Sequence, residues 1–153
     1  MKIMEILVRD AVILNLGVRS KREVLLEMAN ALAKVEPQIE ANRLLEVLLE
    51  REGLQSTGIG EGVAIPHGKL AGLDRLVASF ARSAEGVDFD SIDGQLTHHF
   101  FLLVVPEHSG GRYLKALARI SRFFRDPSFR QRLGTAETAA DVIRAIEEED
   151  QKL

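Results

Sequence analysis

The chain is predicted to fold as one α/β domain, a sheet with helices on both faces. Three observations carry this. Helix patterns come before, between and after the strand patterns, so a sheet is covered from two sides. Phe100-Phe-Leu-Leu-Val-Val105 is a continuous apolar run, the mark of a strand buried on both faces. The 153 residues, 46% hydrophobic and 28% charged, have the length and balance of a single globular domain spanning 1–153.

In chain order, Val12-Ile-Leu14 is a short strand candidate. Ser20-Lys-Arg-Glu23 is a capping box, with Ser20 as N-cap, and Val24, Leu25, Met28, Ala29 and Leu32 then share one helical face. Pro37 separates this helix from a second, whose buried face carries Leu44, Leu45, Leu48 and Leu49. Gly53 to Gly68 holds five glycines and reads as a shaped loop with a short strand at Val63-Ala-Ile65. Leu76 to Arg82 is a strand candidate, Gly86 to Gly94 a turn region, and Pro106 ends the apolar strand. A helix from Gly111 to Arg125 is expected to bury Leu114, Leu117, Ile120, Ser121 and Phe124. Asp126-Pro127 restarts the chain as N-cap and first helical residue. The last helix opens at Thr135 or Thr138 and turns Val142, Ile143 and Ile146 inward; its acidic end, Glu147 to Asp150, reads as a solvated, fraying tail.

Composition removes several function classes. The net charge is −3, with Lys and Arg scattered, so there is no basic field for nucleic acid. With no Cys there is no disulfide framework, thiol nucleophile or Cys-based zinc site. His98 and His99 are adjacent in a strand, so they point to opposite faces and do not chelate one ion; no metal or cofactor is expected. The N-terminus has no signal-peptide core and the longest apolar run is far short of the ~20 residues of a membrane helix, so a cytoplasmic location without membrane insertion is expected.

Ser56-Thr-Gly-Ile-Gly-Glu-Gly-Val-Ala-Ile-Pro-His-Gly-Lys69 is the most informative stretch. It is not a P-loop, because five residues separate Gly62 from Gly68 and Leu70 follows Lys69. It is not a dinucleotide fingerprint, because Val63 stands where the third glycine belongs. What remains is one histidine, His67, on a stiff approach. Pro66 fixes its own φ and holds Ile65 extended, and Gly68 is expected to let a partner approach the ring. A neutral imidazole is a competent nucleophile near neutral pH, and its second nitrogen can be held by a carbonyl. The Ser56 and Thr57 hydroxyls and the backbone N–H groups around Gly58, Gly60 and Gly62 are expected to hold phosphate oxygens.

This segment resembles the active-site segment of the fructose/mannitol-type EIIA domains of the bacterial phosphotransferase system, in particular their nitrogen-regulatory branch. The resemblance continues through Phe89-Asp-Ser-Ile-Asp-Gly-Gln95 and Phe101-Leu-Leu-Val-Val-Pro-Glu107 and covers nearly the whole chain. It implies a mixed sheet flanked by helices. It also implies a phosphotransferase component whose His67 takes a phosphoryl group from an HPr-like phosphocarrier (NPr in the nitrogen branch), and whose phosphorylation state controls regulatory targets. Two alternatives stay open: a transport EIIA that passes the group to an EIIB domain, and a binding module without phosphotransfer. The family has an arginine shortly before the segment, and Arg51 matches it. A guanidinium there would balance phosphoryl charge. At one position the chain departs. Where the family usually has a second histidine stands Tyr113, which donates a hydrogen bond but carries no positive charge; His108, nearby, is the alternative for that role.

Overall fold

Strand β5, Thr97–Pro106, is the centre of the molecule, and its side chains divide the core in two. Phe100, Leu102 and Val104 face one apolar cluster; Phe101, Leu103 and Val105 face the other. The alternation follows from the two-residue strand period, and both faces are apolar because both are roofed by helices. The first cluster is closed by α1, Lys21–Val35, and α2, Ala41–Leu54. The second is closed by α3, Arg112–Phe123, α4, Pro127–Thr135, and α5, Ala139–Lys152, with the N-terminal 3-10 turn Ile3–Glu5; a second such turn, Arg9–Ala11, packs Ala11 into the first cluster. This is a computed structural model, and it describes residues 1–153.

The sheet has five strands and is mixed. The 11-residue β4, Val77–Val87, runs antiparallel along one edge of β5. The other edge is shared end to end by β2, Val63–Ala64, and β3, His67–Leu70, both parallel to β5; β1, Gly58–Gly60, forms an antiparallel hairpin with β2. One register runs through the gap between β2 and β3: Val63 lies opposite His99, and His67 opposite Leu103. Pro66 explains the gap, because it has no N–H to give the ladder. Its carbonyl still accepts from the Leu103 N–H at 2.9 Å, while the Ile65 N–H turns outward to the Thr57 carbonyl at 3.0 Å. β3 is left as an edge strand.

The caps form as the sequence predicts. The Ser20 hydroxyl accepts from the Glu23 N–H, Asp126 caps α4 with Pro127 in its first turn, and Thr138 forms a capping box with Asp141. Five expectations need correction. The Gly53–Gly68 loop holds more regular structure than expected: α2 continues through Leu54, and β1 and the start of β3 stand beside the expected strand at Val63–Ala64. Val12–Leu14 makes one isolated bridge, Ile13 to Ala81, and is not a full strand. Gly86 ends no strand; its φ of +88° lets β4 continue through a bulge to Val87. α3 buries Ala116, Ile120 and Phe123, and this stripe leaves Leu114 56% exposed on the far side of the helix. The acidic tail is not solvated throughout. Asp150 is 1% exposed, and its carboxylate accepts from the Ile3 and Met4 N–H groups at 3.0 and 2.8 Å and from the Arg119 Nε at 3.0 Å. It closes the chain's last helix onto its first turn.

Candidate functional site

β3 opens at the sheet edge between the end of α2 and the first half of α3, and His67 is its first residue. The side-chain period places His67 and Lys69 on the α3 side and Gly68 and Leu70 against the α2 side. The role of Gly68 differs from the expected one. A Cβ there would lie 2.6 Å from Val47 Cγ1, so the missing side chain seats α2 directly on β3 and gives no room to a partner. Arg51 and Glu52 follow Val47 by one helical turn, which brings both to the histidine.

The His67 Nδ1 lies 2.9 Å from the Ile65 carbonyl oxygen. A carbonyl only accepts, so Nδ1 carries the hydrogen and Nε2 keeps its lone pair. Burial pushes the His67 pKa below its ordinary value; the Ile65 bond raises it, the Arg51 charge lowers it further and Glu52 raises it. The ring is thereby kept neutral and nucleophilic.

Two clefts meet at this ring. One, about 420 Å³, is lined by Arg43, Val47, Arg51, His67, Lys69 and Tyr113 among others. The second, about 330 Å³, is lined by Arg51, Ser56, Thr57, Gly58, His67 and Leu117 among others. His67, Arg51 and Tyr113 are therefore brought together. The Arg51 Nη1 donates to the Gln55 carbonyl at 2.8 Å, which steadies the guanidinium at the helix end. His108 is exposed in the β5–α3 loop and lines neither cleft.

The expected phosphate cradle divides. Ser56, Thr57 and Gly58 line the second cleft, but the hydroxyl protons are already in use. Ser56 donates to the Phe89 carbonyl at 2.6 Å, and the Thr57 hydroxyl donates to Glu52. These bonds fix the loop and leave neither hydroxyl a proton for a phosphate oxygen. Gly60 and Gly62 line neither cleft. With φ of +92° and +75° they form the tight β1–β2 turn, which Asp93 pins by accepting from the Glu61 N–H at 3.1 Å. The residue that sequence reasoning missed is Glu52. It is 7% exposed and holds the Lys21 ammonium at 3.1 Å and the Thr57 N–H at 3.1 Å. Its signal was its position one turn beyond Leu48 on the buried face of α2.

Around the clefts stand exposed apolar side chains: Leu54 at 81%, Ile92 at 70% and Ile59. His98 and His99 do point apart. His98 Nδ1 meets the Ser83 carbonyl at 2.9 Å, while the buried His99 stacks with Phe80 and Phe124. No helix is long and apolar enough to cross a membrane.

Comparison with known proteins agrees with this arrangement. A family described as "Phosphoenolpyruvate-dependent sugar phosphotransferase system, EIIA 2" matches residues 5–149. A nitrogen regulatory protein of Bradyrhizobium diazoefficiens is 42% identical over 146 residues, 95% of each chain. Among solved structures, nitrogen regulatory protein IIA-Ntr from Neisseria meningitidis superposes with a TM-score of 0.87 at 35% identity, over 94% of this chain and 98% of that one. The IIA mannitol protein of Escherichia coli, solved with phosphorylated IIB mannitol, shares the fold with a TM-score of 0.76 at 18% identity, over 91% of this chain and 95% of that one. The chain belongs to the EIIA 2 family of the phosphoenolpyruvate-dependent sugar phosphotransferase system and is an EIIA-Ntr-like phosphotransferase component of it.

Proposed function

We propose that His67 Nε2 is the phosphoryl acceptor, that an HPr-like phosphocarrier of the NPr kind is the donor, and that the phosphorylation state of the chain regulates cytoplasmic target proteins. The observation that carries this is the ring itself, with Nδ1–H held by the Ile65 carbonyl, Nε2 free, and Arg51 beside it. In the transfer, the Nε2 lone pair forms a P–N bond while the carrier's P–N bond breaks and its electron pair stays on the carrier nitrogen. The His67 ring becomes cationic and keeps its Nδ1 proton on Ile65, so no separate base is needed. What the step requires is in-line placement and charge balance. Arg51 supplies a guanidinium for the phosphoryl oxygens, Tyr113 a neutral hydroxyl donor, and Ser56, Thr57 and Gly58 a rigid wall. Leu54, Ile92 and Ile59 form the apolar rim on which a carrier protein docks. In this reading the acceptor is open to a protein and not to a small molecule alone.

Transfer onward to an EIIB domain is the second reading. It is favoured by the fold shared with a IIA protein solved against its phosphorylated IIB partner. Incubation with the phosphorylated carrier, followed by addition of candidate EIIB domains, separates the two. Phosphate that stays on the chain supports regulation, and phosphate that moves on supports transport.

A further inference from the structure

We propose that Lys69 is a catalytic residue of the phosphoryl site, supplying beside His67 the positive charge that Tyr113 lacks. This rests on the reading of His67 as acceptor. His67 and Lys69 are two apart on β3, so their side chains leave the strand on the same face. Both line the cleft that also holds Arg51 and Tyr113. The Lys69 ammonium forms no ion pair and stands 5.5 Å from the centroid of the Tyr113 ring. That contact holds a flexible cation over the cleft without neutralising it, because the ring quadrupole attracts the ammonium but brings no countercharge. The other cations are more committed. Arg43 pairs with Glu46 at 3.0 Å, and Arg51 gives one N–H to the Gln55 carbonyl. Glu50 is the single carboxylate on the cleft wall.

The chemistry gives such a cation a task. As the phosphoryl group passes from the carrier nitrogen to Nε2, its three oxygens keep their negative charge and lose water. Arg51 meets that charge from the α2 side, and Tyr113 donates only a neutral hydrogen bond from the α3 side. Lys69, an ammonium with three rotatable donors on a four-carbon stem, swings from the Tyr113 ring to the oxygens and completes the balance. The step stays as written above: Lys69 neither gains nor loses a proton, and the P–N bond made replaces the P–N bond broken.

The test is single-turnover transfer from the phosphorylated carrier to wild-type chain, Lys69→Gln and Lys69→Arg, over a range of carrier concentrations. The rate at saturating carrier is expected to fall about tenfold or more in Lys69→Gln, the scale of a charged hydrogen bond lost. It should recover to within about threefold in Lys69→Arg, with the thermal midpoint of all three alike. A Lys69→Gln protein with the wild-type saturating rate overturns the proposal, and so does one whose only change is a weaker apparent affinity for the carrier, which would make Lys69 a docking residue. Failure of the underlying reading looks different: wild-type chain would take no acid-labile phosphate, or His67→Ala would still take it.

Discussion

At His67 the proposed chemistry depends on which nitrogen is free and whether the ring is neutral. The Ile65 bond decides the first and burial, aided by Arg51, the second. NMR titration of the His67 ring should therefore give a midpoint below the ordinary histidine value of about 6.5. Neutral, nucleophilic ring then persists as the pH falls through that value and is lost only at lower pH. Replacing Arg51 by Ala removes the positive charge that disfavours protonation, so the midpoint should rise; a midpoint already at or above the ordinary value in wild type would refute this electrostatic picture. Arg51 has its own kinetic signature. Arg51→Lys should slow transfer from the carrier, and Arg51→Ala more so, by about 1–3 kcal/mol of transition-state energy. Wild-type rates in both variants would return Arg51 to the solvated surface. His67 was legible in the sequence because a proline, a glycine and a specific string flank it, and Arg51 because the resemblance places an arginine shortly before that string. The hydroxyl roles were not: whether Ser56 and Thr57 spend their protons on a ligand or on Phe89 and Glu52 depends on groups 33 and 5 residues away.

Among the elements, the contact between α2 and β3 sets the site's geometry. Gly68 permits it, Val47 fills it, and the helix then delivers Arg51 and Glu52. A methyl group at Gly68 has no room, and Val47 is β-branched and stiff. Gly68→Ala should cost about 1–3 kcal/mol of stability and slow transfer by shifting α2 away from His67. Val47→Ala combined with Gly68→Ala should restore much of both. A Gly68→Ala protein as stable and active as wild type, by urea titration and transfer assay, would show that the helix seat is loose. Helix patterns were readable wherever a period was long enough, as in α1 and α2, and β5 was readable as one continuous apolar run. Of the short strands, β2 was legible as Val63-Ala-Ile65, but β1 and β3 were hidden among glycines, because three- and four-residue strands carry no period and exist only through their pairing with β2 and β5. The Leu114 misreading has a similar cause: α3 has leucines on more than one side, and only its packing against the sheet reveals which side is buried.

Across the whole molecule, the two chain ends are tied together on the second core cluster. Asp150 sits in the last helix, accepts from the first-turn N–H groups of Ile3 and Met4, and pairs with Arg119 of α3, the helix that carries Tyr113. The sequence showed only four acids near a terminus, since nothing local marks one of them as a long-range cap. Removing a buried carboxylate leaves the Arg119 charge without its counterion and two N–H groups without their acceptor, although Arg119 keeps its bond to the residue 150 carbonyl, so Asp150→Ala should lower stability by about 3 kcal/mol, and Asp150→Asn by less. Urea midpoints of the three proteins decide it; an Asp150→Ala midpoint equal to wild type would make the clamp ornamental. The family, the mixed sheet and the helices on both faces were all expected from the sequence, because one long string at the site and one long apolar strand carried them. The central claim remains that this fold exists to present one imidazole to a phosphorylated protein. Its most direct measurement is intact-mass and peptide mapping after exposure to the phosphorylated HPr-like carrier. The account predicts a single acid-labile phosphoryl group, on His67, and none on His67→Ala; phosphate on another residue, or undiminished uptake by His67→Ala, would contradict it.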